Sequence, residues 1–219
     1  MALLTVQDLH HAFGRHRVLN GVELSMEAGE CAVLLGSNGS GKSTLLALLS
    51  TRLRVQKGHY QLAGYSAAQQ GEEIRHRLLF VGHHTHLYGH LTPLENLRFF
   101  ADLHGLPPQP ATLAAAVAAV GLQRFSEQPV RWFSAGMRKR LALARLLLFQ
   151  PLLLLLDEPY SALDVQGVAW LNASLDRFLQ QGGMVLMASH DPERLESLPH
   201  RLLRLQRGQL SDGREECPC

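Results

Sequence analysis

Two kinds of hydrophobic pattern alternate along the chain. Short unbroken apolar runs, Cys31 to Leu35, Leu78 to Val81, Leu152 to Leu156 and Met184 to Ala188, predict strands covered on both faces, as in a parallel sheet. Longer stretches repeat apolar residues three and four apart and predict helices. From Val165 to Gln181, for example, Val168, Leu171, Leu175, Phe178 and Leu179 share one helical face. Near the start, Leu3 to Leu9 and Val18 to Met26 predict a small antiparallel pair, with Gly14 and Asn20-Gly21 as turn signals. Further strands are predicted over His59 to Ala63 and, at a sheet edge, over Arg201 to Leu205.

The pattern from 93 to 148 is helical, with no convincing strand. Thr92-Pro93-Leu94-Glu95 supplies a cap, a first-turn proline and a capping-box carboxylate. Gly105 with Pro107-Pro108 ends one helix, and the alanine-rich run Ala111 to Val120 makes the next. The pattern predicts one α/β domain over residues 1–210, with a helical subdomain inserted at about 93–148 and a tail at 211–219.

Composition narrows the function. A chain of 219 residues has room for one large core. Lys and Arg total 21 against 19 Asp and Glu, a formal charge of +2, so nothing points to nucleic acid or a membrane-coating surface. Cys31, Cys217 and Cys219 are too few and too unevenly placed for a disulfide framework, and they suit a reducing compartment. Cys217-Pro218-Cys219 reads as a frayed end rather than a metal site. The first residues lack the basic lead of a signal peptide. The greasiest stretch, Leu141 to Leu156, is broken by Arg145, Gln150 and Pro151 and is too short to span a bilayer. The expectation is a chain soluble in its own right, with any membrane span supplied by another protein.

The candidate chemistry is concentrated in Gly36-Ser37-Asn38-Gly39-Ser40-Gly41-Lys42-Ser43-Thr44, a full match to G-x-x-x-x-G-K-[ST] between a predicted strand and a predicted helix. Its glycines let successive N–H groups face one anion, and the following helix aims its positive end there. Lys42 is expected to reach the terminal phosphates of a nucleoside triphosphate, and Ser43 to ligate Mg²⁺. A second constellation is Asp157-Glu158 at the end of a buried strand. Asp157 is placed to hold Mg²⁺ and Glu158 to act on water as general base. Ser134 is an N-cap ahead of a helix whose first residues, Ala135-Gly136-Met137, leave backbone N–H groups open to another anion. Two anion-binding features with one catalytic base suggest that two copies share each nucleotide. Phe13, between the first two strands, could stack on a nucleobase or pack in the core.

Taken in order, the phosphate loop, Phe133 to Met137, the acidic strand, Ser161-Ala162-Leu163-Asp164 and His190 resemble the ATP-binding cassette family, from about residue 3 to 210. The resemblance implies a P-loop NTPase core with a mixed, mainly parallel sheet, an N-terminal antiparallel β subdomain and the inserted helical subdomain. It implies a head-to-tail homodimer, with two ATPs held between the phosphate loop of one copy and Ser134 and Gly136 of the other. It also implies that Phe13 stacks on adenine, that Asp164 couples the two sites and that His190 contacts the γ-phosphate.

The sequence departs from the family pattern in two ways. Met137 stands where the signature usually has Gln and Ala135 where it has Gly, which shifts the trans contact toward backbone N–H groups. His83 stands where a Gln commonly contacts Mg²⁺ or water and joins the helical subdomain. With the Ser-Ala-Gly signature and the minimal length, this is similar to the ATPases of haem exporters in cytochrome c maturation. His83, His84, His86 and His90 lack fixed spacing and read as solvated rather than metal-binding.

The resemblance thus implies an Mg²⁺-dependent ATPase at the cytoplasmic face of the inner membrane, peripheral to a permease and driving export of haem or release of a haem-loaded chaperone. Other readings are the ATPase of a lipid, drug or lipoprotein exporter, and a nucleotide-gated scaffold with little turnover. The cassette ATPases of DNA repair carry a long coiled coil, which this sequence lacks.

Overall fold

A computed structural model describes residues 2–106, 109–195 and 198–212. The N-terminal strands β1 (Leu4–Phe13) and β2 (His16–Met26) form a long hairpin, joined by β4 (Lys57–Leu62) and the two-residue β5 (Tyr65–Ser66) in an antiparallel sheet of order β2-β1-β4-β5. The second sheet contains β3 (Cys31–Leu35), β6 (Leu78–Val81), β7 (Leu153–Asp157), β8 (Met184–Ala188), β9 (Arg201–Gln206) and β10 (Gln209–Asp212). Its order is β10-β9-β3-β8-β7-β6, parallel throughout except for the final hairpin.

Strand alternation places the core. Ala32, Leu34, Leu153, Leu155 and Leu186 face the antiparallel sheet and α1 (Lys42–Leu49), packing with Leu4, Val6, Leu45 and Leu49. Val33, Leu154, Leu156, Val185 and Met187 face the other way, against Leu171, Leu175 and Phe178 of α6 (Val165–Gln180). Both faces are covered, so these short strands carry apolar residues at nearly every position. The short helix α2 (Gly71–Arg75) leads into β6.

Between β6 and β7 run α3 (Pro93–Leu103), α4 (Pro110–Ala119) and α5 (Ala135–Ala144). They have a core of their own, with Leu97, Leu113, Val117, Val130, Phe133 and Leu141 packed together. The predicted capping box opens α3: Thr92 Oγ1 accepts from the Glu95 N–H at 3.3 Å, and the Glu95 carboxylate accepts from the Thr92 N–H at 2.8 Å.

The structure corrects three expectations. Asn20-Gly21 makes no turn; both lie inside β2, where the facing β1 shifts register near Leu9. The turn is the Gly14-Arg15 pair alone. β9 is not an edge strand, because Gly208 turns the chain back into β10, which includes Ser211 and Asp212 of the expected tail. Cys217 and Cys219 lie outside the described residues. Among the described residues, no helix is long and apolar enough to cross a membrane.

Candidate functional site

Topology makes the site. Strands β3, β8, β7 and β6 are parallel and adjacent, so the segments leaving their C-terminal ends stand in a row. In chain order these are the glycine loop, the Gly82-His83 step, Asp157-Glu158 and Ser189-His190. Ligands of open parallel sheets bind at this edge.

The glycine loop connects β3 to α1. A Cβ on Gly36 would come within 2.5 Å of the Leu205 carbonyl oxygen and 2.7 Å of Ser40 Oγ, so only glycine fits there. Gly41, with φ +108°, is the N-cap of α1 and makes no side-chain cap, leaving the first-turn N–H groups to the loop's concave side. The Lys42 ammonium curls back over the loop, donating to the carbonyls of Gly36 at 2.7 Å and Ser37 at 3.1 Å. The buried Ser40 hydroxyl has no hydrogen-bond partner.

One cleft of about 460 Å³ is lined by Asn38, Gly39, Gly41, Lys42, Ser43 and Thr44 on one side. Its other side is formed by His83, Asp157, Glu158 and His190. Asp157 ends β7 and is buried. Glu158 adopts φ +49°, a left-handed conformation that costs a non-glycine residue about 1–3 kcal/mol. It is fixed by its N–H donating to the Ala188 carbonyl at 2.9 Å and by its carbonyl accepting from the Ser161 hydroxyl at 2.8 Å. The His190 N–H points at Glu158 Oε2 at 3.4 Å, and His190 Nε2 lies 3.2 Å from Oε1 in a close contact outside hydrogen-bond alignment. Thus the carboxylate has one oxygen steered by a backbone amide and the other beside an imidazole.

Ser43 and Asp157 face the same cleft and offer a hydroxyl and a carboxylate oxygen. Such hard oxygen donors fit Mg²⁺, which takes few protein ligands and leaves positions for phosphate oxygens and water.

The segment Ser134 to Met137 lies elsewhere. Ser134 Oγ accepts from the Met137 N–H at 3.2 Å and caps α5. Ser134, Gly136 and Met137 line a separate cleft of about 230 Å³ with Arg140, Ala162 and Asp164, and no lining residue belongs to both clefts. A Cβ on Gly136 would come within 2.5 Å of the Ala162 carbonyl oxygen, which gives this glycine a packing role as well. The exposed Ala135 begins the helix. Asp164 caps α6 by accepting from the Gly167 N–H at 2.9 Å, and its other oxygen pairs with Arg140. The Gly167 amide first, then Arg140, holds this carboxyl below the usual range.

Phe13 ends β1, exposed, with its ring edge-to-face against the buried His11, and it does not line the cleft. Among the remaining loop histidines, His84 packs its ring against His83 and His90 meets Arg131 at 3.1 Å. Among the described residues, no three His, Cys, Asp or Glu side chains gather as a metal site.

Two neighbours of the site escaped the sequence reading. Val18 lines the main cleft, packed over Gly41, yet it looks like any strand valine. Lys139 is buried in α5, and its amine donates to the carbonyls of Asp157 at 3.3 Å and Gly82 at 3.5 Å. Burial lowers this amine to about 8, against the opposing pull of Asp157 and Glu158. Its signal was a lysine on the helical face shared with Ala142 and Leu143.

Comparison with known proteins agrees with this architecture. The family model described as ABC transporter matches residues 19–161. The "Cytochrome c biogenesis ATP-binding export protein CcmA" of Cupriavidus necator is 40% identical over 190 residues, covering 87% of this chain and 84% of that protein. Its namesake in Xanthomonas axonopodis pv. citri is 38% identical over 204 residues, covering 93% and 94%. A solved "Structure of ATP binding subunit of ABC transporter" superposes with a TM-score of 0.87 at 27% identity, over 96% of this chain and 90% of that one. With most of its length inside the family model and in register with these relatives, the chain belongs to the ABC transporter family.

Proposed function

We propose that the chain is the ATP-hydrolysing subunit of an exporter serving cytochrome c biogenesis, with haem, or a haem-loaded chaperone awaiting release, as what it moves. The reading rests on one observation above all: the glycine loop, Asp157, Glu158 and His190 share a cleft, while Ser134 and Gly136 line another.

Gly36, Ser37, Asn38, Gly39, Ser40 and Gly41 wrap the phosphates through backbone N–H groups, and Lys42 turns from its loop carbonyls to the terminal phosphates. Thr44 lies beside Ser43 at the start of α1. Ser43 and Asp157 would hold Mg²⁺, which would supply positive charge to offset that of the phosphate oxygens. Glu158 accepts a hydrogen bond from the water in line with the γ-phosphorus, and His190 holds both that carboxylate and a γ-phosphate oxygen. His83 faces the same water from the loop after β6, and Phe13 takes the adenine face. A second copy supplies Ser134, Ala135, Gly136 and Met137, closing each site in a homodimer, and Asp164 couples the two sites. The helices between β6 and β7 act as the subdomain that passes movement to permease subunits. The chain works peripherally at the cytoplasmic face of the inner membrane, without nucleic acid.

The test replaces Glu158 by Gln in the purified chain and in the cell. ATP should still bind while turnover falls by about two to four orders of magnitude, and haem-stained c-type cytochromes should disappear. Normal turnover removes Glu158 from catalysis; unchanged cytochromes with turnover lost remove the assigned pathway.

A further inference from the structure

The helix that opens with Ser134 also reaches the strand ends behind the main cleft. Lys139 lies two residues beyond Met137, and its amine is buried beneath the ends of two adjacent strands. One acceptor is the carbonyl of Gly82, the residue after β6; the other is the carbonyl of Asp157, the last residue of β7. These strands are in register as parallel neighbours, with Val81 opposite Leu156. The residues that follow the two carbonyls are His83 and Glu158, both in the cleft. One ammonium therefore bridges the two backbone steps that aim a candidate water contact and the candidate base.

Burying an ammonium without a directly paired carboxylate is unfavourable, and among the described residues none pairs with Lys139. A methionine would fill the same space at no such cost, but would leave both strand-end carbonyls without this donor. The segment after the helix grips the loop once more: Arg145, just past its end and half-buried, donates to the Thr85 carbonyl at 2.6 Å. Thus α5 and the turn after it are fastened twice to the segment from 82 to 85, and once to the tip of β7.

We propose that Lys139 is a positioning residue for hydrolysis. It fixes the spacing between His83 and Asp157-Glu158, and ties that spacing to the helix whose first turn meets the nucleotide of the second copy. The inference rests on the reading of the main cleft as the ATP site.

The full-length chain carrying Lys139→Met, Lys139→Gln or Lys139→Arg is compared with wild type for binding of a fluorescent ATP analogue and for kcat and KM of phosphate release. The expected result for Lys139→Met is binding within about threefold of wild type and kcat down at least about tenfold, with Lys139→Arg restoring most of the rate. Wild-type kcat in Lys139→Met, a loss confined to KM, or an arginine no better than methionine overturns the proposal. If methionine prevents folding, glutamine is judged by the same criteria as methionine; if neither folds, Lys139 serves folding alone and the proposal falls. Lys42→Ala, measured alongside, must lose nucleotide affinity; if it does not, the assignment of the cleft has failed rather than the role of Lys139.

Discussion

Individual residues of the cleft carry opposite mechanical demands. Glu158 is held in a left-handed conformation by bonds to Ala188 and Ser161, so its carboxylate is aimed before any ligand arrives. Lys42 is instead parked on two carbonyls of its own loop, which the proposed reading has it exchange for phosphate oxygens. Because it trades one set of charge-assisted bonds for another, its net contribution is that of a charged hydrogen bond, about 1.5–3 kcal/mol. Lys42→Ala should therefore weaken ATP binding roughly 10- to 100-fold in a nucleotide titration. Equal affinity would mean that the loop cradles something else. At this scale sequence was most informative where spacing encodes chemistry, as in the run from Gly36 to Thr44. It was blind to Lys139, because a lysine in a helix is ordinarily solvated, and only the packing of α5 under β6 and β7 reveals it as buried.

Among the elements, strands covered on both faces were legible, because no position in Leu153 to Leu156 is left to face water. The hairpin β1–β2 was less so. Its Asn20-Gly21 pair has the chemistry of a turn but lies mid-strand, opposite the register shifts of β1, and no local pattern distinguishes those two uses. Helix α3 was readable to its first residue from the capping box, whereas its far end holds a pH response that the pattern concealed. His104 is its C-cap, with its ring 4.1 Å from that of Phe100 and 4.9 Å from that of Phe149. Burial lowers its pKa, the hydrogen bond with the Phe100 carbonyl opposes this in part, and His76 and Arg145 add smaller downward pushes. The unfolded chain therefore binds this proton more readily than the folded one, so stability is whole above the ordinary value of 6.5 and is lost as pH falls below it. Thermal midpoints at about pH 7.5 and about pH 5.5 should show a drop in wild type that shrinks in His104→Leu. An identical drop in both proteins would assign the acid sensitivity to other groups.

On the scale of the whole molecule, two clefts share no lining residue, and each holds part of one family signature. Sequence order alone hinted at this division, since Ser134 and Lys42 both announce an anion while only Glu158 announces a base. The distance between the clefts depends on how three helices fold over the sheet, which no motif encodes. The helices between β6 and β7 touch both: Ser134 opens α5 at one cleft, and Lys139 reaches the strand ends behind the other.

Such a division makes damage separable. A chain with Lys42→Ala is spoiled on its loop face alone, and one with Ser134→Arg on its lid face alone. In the proposed head-to-tail pair, the two variants would put both injuries into one nucleotide chamber and leave the other unharmed. With ATP present, a tagged Lys42→Ala chain should retain untagged Ser134→Arg chains with a single trapped nucleotide per pair, while neither variant retains its own kind. Mutual indifference between the two would mean that each chain closes over its nucleotide unaided.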